Sequence, residues 1–404
     1  MPDKPKVLYI SYDGMTDPLG QSQVLPYLTG ISAAGYEIHL ISFEKEELFQ
    51  RNEGLIRNIC HANGIRWIPV KYHKNPPILS TIFDIWKLFT VAKKEHQKHR
   101  FQIIHCRSYI AAFAGLFFKK KYGIKFIFDM RGFWPEERVD GGLWNLKNPV
   151  FTFIYSYFKK KEKEFLLAAD EVITLTHKAK EFLLQNAAYQ KQSITVIPCC
   201  VDEKLFTPVA ATDRKSIRHG LGIADDTFVL LYLGSIGTWY LPDEMLQFFK
   251  TFSQHQSHAE FWFITKENPE MILEKAKSRG IDLSKIIIKS AERKEVVNFI
   301  RAADLGIFFI KNTFSKSASS PVKQGEMMAC GLPVICNAGI GDTDMIIHNY
   351  QSGILVEELD EKFYHKAISA LESVQFDTNH ISAGAKDYFS LEQGIQKYVE
   401  VYRK

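Results

Sequence analysis

Short apolar runs alternate with helical patterns from one end of this chain to the other, and that alternation limits its fold more than any other feature. Lys6–Ser11, Glu37–Phe43, Arg66–Val70, Phe101–Cys106, Phe126–Met130, Glu171–Leu175 and Ile194–Ile197 read as strands, with Gln23–Ala34 as the helix after the first. Nearly every position in these runs is apolar. That suits strands buried on both faces, in a parallel sheet covered by helices. After a polar stretch, Asp202–Asp226, a second series begins: Phe228–Leu233, Phe261–Thr265, Ile286–Ile288, Leu305–Ile310, Pro333–Cys336 and Gly353–Val356. At 404 residues the chain is long for a single core. The expected fold class is therefore α/β, with two Rossmann-like doubly wound domains facing a central cleft. We place the first at residues 1–205 and the second at residues 206–385. Residues 386–404 are expected to pack back on the first, because Leu391, Ile395, Tyr398, Val399 and Tyr402 recur at helical spacing.

Composition narrows the function classes. With 46% hydrophobic and 24% charged residues the chain is globular, and it contains no low-complexity tract or short repeat. The six cysteines form no C-x-x-C pair, which points to buried free thiols in a reducing compartment rather than disulfides or a zinc site. The N-terminal Met-Pro-Asp-Lys-Pro-Lys leads straight into a strand without a signal peptide, so a cytoplasmic protein is expected. The longest apolar run, Ile110–Phe118, is too short to span a bilayer. The net charge of +5 is unevenly shared: through Lys191 there are 28 Lys+Arg against 19 Asp+Glu, and beyond it 23 against 27. Much of the excess lies in Phe117–Lys125 and Phe151–Lys163, where aromatics precede lysines. Such segments are read first as solvated helix ends with their aromatics in the core, and alternatively as peripheral contact with an anionic membrane at its inner face. Nucleic acid is not an expected partner, since acidic residues are interleaved and no recognition motif is present.

The richest motif is Ser319–Ile335, a polar loop, a short helix and a buried strand. Pro321 suits a first helical turn, and Gly331 followed by Pro333 suits the helix end. Free N–H groups at a helix start attract phosphate, and Lys323 adds positive charge there. Glu326, three residues on, can accept hydrogen bonds from sugar hydroxyls. An ordinary α/β connection with a capped helix reads the same way. After the first strand, Gly20 precedes an apparent helix start with Gln21 and Ser22 as polar caps, suited to close approach of backbone to a phosphate or sugar. It lacks the spacing of a dinucleotide fingerprint or a Walker loop.

In Phe128–Arg138, Asp129 and Arg131 stand at a strand's carboxyl end. Asp129 can position an acceptor hydroxyl and Arg131 can stabilise a leaving pyrophosphate, or the two form an ion pair that orders a loop. His105 ends another strand, with Arg107 two residues later; it can act near the acceptor, or be a satisfied structural histidine. Gly234 and Ser235 follow Phe228–Leu233 and can bring backbone amides to phosphates. Ser290 and Arg293 lie where a base can be read. Asp342 and Asp344 form a lone D-x-D, too common to signal a metal.

These segments together resemble the family 4 glycosyltransferases, over most of the chain. Val196-Ile-Pro-Cys-Cys-Val-Asp-Glu-Lys-Leu-Phe-Thr-Pro208 is similar to that family's strand-and-hinge signature, with Cys-Cys for Asn-Gly. Ala302–Gly306 and Met327–Ile335 match the segments around its donor loop. The resemblance implies the GT-B fold and a retaining, metal-independent hexosyltransferase without cofactor. Its substrates would be a UDP-sugar donor and a saccharide or lipid-linked saccharide acceptor. Carried over, Glu326 would hold the donor ribose, Pro321, Val322 and Lys323 would meet the pyrophosphate, and Ser319, Ser320 or Lys323 would serve the donor sugar. Gly20 would face the donor from the first domain. This chain departs from the family at Ala318, where many members have a sugar-contacting glutamate, and at Ser235, near a usual basic residue. A nucleotide-sugar epimerase or phosphorylase of the same fold is the alternative enzyme, and a non-catalytic donor-binding subunit the alternative without turnover.

Overall fold

The computed structural model describes residues 4–404, so the N-terminal reading rests partly on residues outside the described ones. The chain divides into two compact units. The first runs to Pro198 and takes Leu391–Lys404; the second is Cys199–Ser390. The crossings thus fall at Pro198 and Ser390, where the sequence placed them at 205 and 386.

The first unit is built on seven parallel strands, β1 (Lys6–Ser11), β2 (Glu37–Glu44), β3 (Arg66–Lys71), β4 (Ile103–Arg107), β5 (Lys125–Asp129), β6 (Glu171–Thr174) and β7 (Ile194–Val196). Their order is β3-β2-β1-β4-β5-β6-β7. Interior strands are buried along their length, and Val7, Leu8 and Ile10 are wholly inaccessible, as a sheet covered on both faces requires. Helix Ser108–Tyr122 lies close on β5, because Gly115 leaves room for Phe126; a Cβ there would come within 2.1 Å of the ring. The expected helix Gln23–Ala34 is two helices, Pro18–Gln23 and Leu25–Ala33. The break is at Val24 (φ −130°, ψ −61°), and Pro26 then occupies the second helix's first turn, where its missing N–H is not needed. Helix Leu391–Arg403 packs on Leu25–Ala33, with Ile395 over Gly30 and the rings of Tyr27 and Tyr398 edge to face at 5.2 Å.

The second unit has six parallel strands, β8 (Phe228–Leu233), β9 (Ala259–Ile264), β10 (Ile286–Lys289), β11 (Leu305–Phe308), β12 (Val334–Asn337) and β13 (Gly353–Val356). They are ordered β10-β9-β8-β11-β12-β13, so both units are Rossmann-like α/β sheets, the class that the alternation predicts. Expected strand ends lie within two residues of those observed. Helix Val322–Ala329 has a tight seat: Met327 Sδ would lie 2.4 Å from a Cβ on Gly306 of β11, and a Cβ on Gly325 would lie 2.7 Å from Val201 and 3.0 Å from Phe389. Pro321 is this helix's N-cap rather than its first residue. At the other end Gly331 turns left-handed (φ 75°), with Gly331 N–H on Met328 O and Leu332 N–H on Met327 O. That is a Schellman ending, and it aims the chain into β12. All six cysteines are buried, and none of them is in a disulfide.

Candidate functional site

At the start of helix Val322–Ala329 the first N–H groups have no intrahelical acceptor and point out of the sheet's carboxyl edge. Lys323 lies in that turn and is only 7% exposed. Its Nζ has no hydrogen-bond partner among the described residues. It stands 3.4 Å from the centroid of the Tyr240 ring and 4.0 Å from that of Tyr232. The Tyr232 hydroxyl donates instead to Ser235 O at 2.6 Å. Burial pushes the Lys323 ammonium well below the usual lysine range, against the pull of Glu326. The aromatic faces attract the cation without accepting its protons. An anion entering this mouth would supply the missing acceptor. Gly234, in a left-handed conformation (φ 100°) beyond β8, keeps its side open, since Nζ would stand 3.5 Å from a Cβ there.

Glu326 follows Lys323 by three residues and shares its helix face. It is buried, and its Oε1 accepts from Arg293 Nη1 at 2.9 Å. Burial pushes its carboxyl up, while Arg293 and then Lys323 pull it down. The Arg293 side chain is 40% exposed and lies over the Phe206 ring. The structure thus brings Lys323, Glu326, Arg293 and Gly234 to one edge of the second sheet. Ser320 is turned to structure, its Oγ accepting Cys199 N–H at 3.1 Å. Ser235 and Ser290 are exposed, and no hydrogen bond ties Ser290 to this group among the described residues. Ala318 is buried at the end of the 3-10 turn Phe314–Ala318. Asp342 accepts from Tyr388 and Asp344 from Gly339 N–H, so the D-x-D shares no common focus.

In the first unit Asp129 ends β5 and is fully buried. Its Oδ2 accepts from Tyr398 OH at 3.1 Å and lies 3.5 Å from His105 Nε2, with Arg131 Nη1 3.9 Å from Oδ1. Burial pushes the carboxyl up, but Arg131, His105 and Arg107 outweigh it and hold it below its ordinary value. His105 is equally buried, with Nδ1 2.8 Å from Tyr402 OH, and burial holds it below the usual histidine range. It lies inside the fold, unlike the acceptor-side position expected for it, because both β4 neighbours and the C-terminal helix close over it. Arg131 adopts φ 60°, a conformation costly for any non-glycine residue and frequent at functional sites. Arg107 is the group the sequence underplayed. It ends β4, it is 3% exposed, and its Nε and Nη1 lack hydrogen-bond partners among the described residues. Its Nε lies 3.6 Å from Asp13 Oδ2, so Arg107 and Arg131 face two carboxylates here, Asp129 buried and Asp13 part-exposed.

The loop before Pro18–Gln23 is closed differently from the sequence reading. Gly20 lies inside the helix, and Gln21 and Ser22 bond to Thr16 O and Pro18 O rather than capping it. Pro18, with its preset φ, starts the helix instead. A Cβ on Gly20 would fall 2.2 Å from Gly14 O, so the close approach is to the protein's own loop. That loop is pinned by Glu44 at the end of β2, whose carboxylate accepts from Met15 N–H at 2.8 Å and Thr16 N–H at 3.0 Å. The only sequence sign of Glu44 was an acidic residue at a strand's carboxyl end.

The chain is similar to known proteins in sequence and in fold. D-inositol 3-phosphate glycosyltransferase of Stackebrandtia nassauensis is 25% identical over 238 residues, 56% of this chain and 52% of that protein. That of Geodermatophilus obscurus is 26% identical over 254 residues, 60% of this chain and 54% of that protein. The matches thus span about half the length of these relatives. In fold, the chain resembles sucrose-phosphate synthase from Thermosynechococcus elongatus (TM-score 0.75, 15% identity, 99% of this chain and 98% of that one). It also resembles Anabaena HepE in complex with UDP and glucose (TM-score 0.68, 13% identity, 99% of both chains). These likenesses identify the two units as the halves of a GT-B fold. Residues 24–205 match the model described as Glycosyltransferase Family 4 and residues 213–387 that described as Glycosyl transferases group 1; the chain belongs to the family 4 glycosyltransferases.

Proposed function

We propose that this protein transfers a hexosyl group from a UDP-sugar to a hydroxyl of a saccharide acceptor, with retention of anomeric configuration and without a resident metal ion. The bond from the sugar's anomeric carbon to the phosphate oxygen breaks, and one to the acceptor oxygen forms. UDP leaves, and the acceptor's proton passes to a phosphate oxygen or solvent. The observation that carries this reading is Lys323, a buried ammonium without an acceptor at a helix start. There it can balance the charge that develops on the departing pyrophosphate. Glu326 would hold the ribose hydroxyls, oriented by Arg293. Arg107, whose Nη1 has no hydrogen-bond partner among the described residues, is the group that would meet an anionic substituent of the acceptor. UDP titrated calorimetrically into wild type and Glu326→Ala tests the core of the proposal. The variant is expected to bind UDP about ten- to a hundredfold more weakly, as for loss of a charged hydrogen-bonding partner. Equal affinities would sink the ribose contact, and turnover of donor alone to a new sugar would favour the epimerase.

A lipid-linked acceptor is favoured by helix Pro149–Ala168. Val150, Phe153 and Tyr157 follow one another at helical spacing and are 53%, 73% and 41% exposed, with Lys160 and Lys163 exposed beyond them. No helix among the described residues is long and apolar enough to cross a membrane. The protein is expected to float with vesicles containing anionic lipid and not with neutral ones, and Phe153→Glu to lose that flotation. Unchanged flotation of the variant would rule this face out.

A further inference from the structure

The opposite edge of the first sheet, where its strands begin, carries a cluster that the proposed reaction does not use. Glu37 opens β2 and His39 lies two residues on, so both side chains leave the same face. His99 ends helix Leu79–His99, and its ring centroid is 4.3 Å from that of His39. One potential ligand atom from each of these three residues lies within 4.8 Å of the others. His39 Nε2 is 2.9 Å from Glu37 Oε1.

The surroundings point to an ion. His39 is 2% exposed, and its Nδ1 faces Glu95 Oε2 at 3.9 Å; neither atom has a hydrogen-bond partner among the described residues. A neutral imidazole carries one proton. With that proton on Nε2 for Glu37, Nδ1 turns a lone pair toward a second carboxylate. With a cation on Nε2, the proton moves to Nδ1 and points at Glu95, the carboxylate–histidine–metal arrangement that orients ligands at many sites. Glu95 is itself held by Arg66 Nε at 3.4 Å and lies 3.6 Å from His99 Nε2.

We infer that Glu37, His39 and His99 form a binding site for a borderline divalent transition ion of the zinc class, joining the end of helix Leu79–His99 to the start of β2. Two imidazoles and a carboxylate suit zinc and do not suit magnesium or calcium. Ligand distances of about 2.0–2.2 Å require donors roughly 3–3.5 Å apart. Glu37 and His39 lie close to that spacing at 2.9 Å, and the His99 ring, 23% exposed, is the ligand that would have to close the remainder. The site's role is to fasten the helix, remote from the strand ends that bear Arg107 and Asp129.

The test is calorimetric titration of Zn(II) into chelator-stripped full chain, with Mg(II) as control. One equivalent of Zn(II) is expected to bind, Mg(II) to give no binding, and Co(II) to give a visible d–d band. His99→Ala and Glu37→Ala are each expected to weaken Zn(II) binding by at least about tenfold and to lose the band, and Glu95→Gln to weaken it by about tenfold. Melting in excess chelator checks that each variant is folded, and Glu37→Ala carries the test if His99→Ala is not. Absence of saturable binding to wild type would overturn the inference. So would equal affinity in both ligand variants, which would assign the ion to others of the 13 histidines.

Discussion

Lys323→Met is expected to lower kcat/KM for the donor by about 10²–10³-fold while raising the melting temperature. The two effects have one origin. Burial without a hydrogen-bonded partner makes the Lys323 ammonium costly to the free protein, as its lowered proton affinity reflects. An apolar side chain of similar length removes that cost and keeps contact with the Tyr232 and Tyr240 rings. Replacing unfavourable buried charge with packed apolar groups commonly stabilises by about 1–4 kcal/mol. For a unit of this size that is a rise of a few degrees, on the order of 2–4 °C per kcal/mol. Initial rates with varied donor and a calorimetric scan of the ligand-free protein measure both. Unchanged turnover, or a melting temperature well below wild type, would remove Lys323 from the anion site.

Asp129→Ala should be the most destabilising single change in the first unit, by about 3–5 kcal/mol. It strips Arg131 and Arg107 of their buried counter-charge and frees the Tyr398 hydroxyl. Asp129→Asn keeps the acceptor for Tyr398 and should cost less. The sign of the pH dependence follows from the lowered native pKa. The carboxylate's contribution is complete above the ordinary value near 3.9 and is lost as pH falls through the still lower native value, so the deficit of the variant should narrow in strong acid. His105 acts earlier. Because burial keeps it neutral in the native state, the unfolded chain gains a proton below about pH 6.5 and stability declines from there. Urea midpoints of wild type and variant at neutral and acid pH measure this, and a loss under about 1 kcal/mol at neutral pH would refute the charge argument.

Patterning carried the fold because it is a local property. Runs such as Phe228–Leu233 and Gly353–Val356 are apolar at the period that a covered sheet demands, and they are strands over those residues. The mouth of Val322–Ala329 was legible for the same reason: Lys323, Glu326 and Gly331 lie within one turn and its ending. What stayed hidden is pairing across distance. Arg293 is expected near a base, yet it meets Glu326, although β9 and β8 stand between β10 and β11 in the sheet, so nothing local in the sequence announces that pair. Glu44 and Arg107 look in sequence like any charged residue after a strand. Their roles appear only where Met15 and Thr16, or the Asp129 carboxylate, are brought beside them. Gly20 was read as making room for a ligand, and the residue it makes room for is Gly14.

The hydroxyls of Tyr398 and Tyr402 close the Asp129 and His105 pair, and both belong to the segment Leu391–Lys404. On a ribosome that segment is made after the whole of Cys199–Ser390. An N-terminal domain can ordinarily fold while the rest of its chain is still being synthesised. Here the emerging first unit must hold Asp129 and His105 without those two hydroxyls until Leu391–Lys404 has been made. Completion of the first unit therefore waits on the synthesis of the second, whichever folds faster.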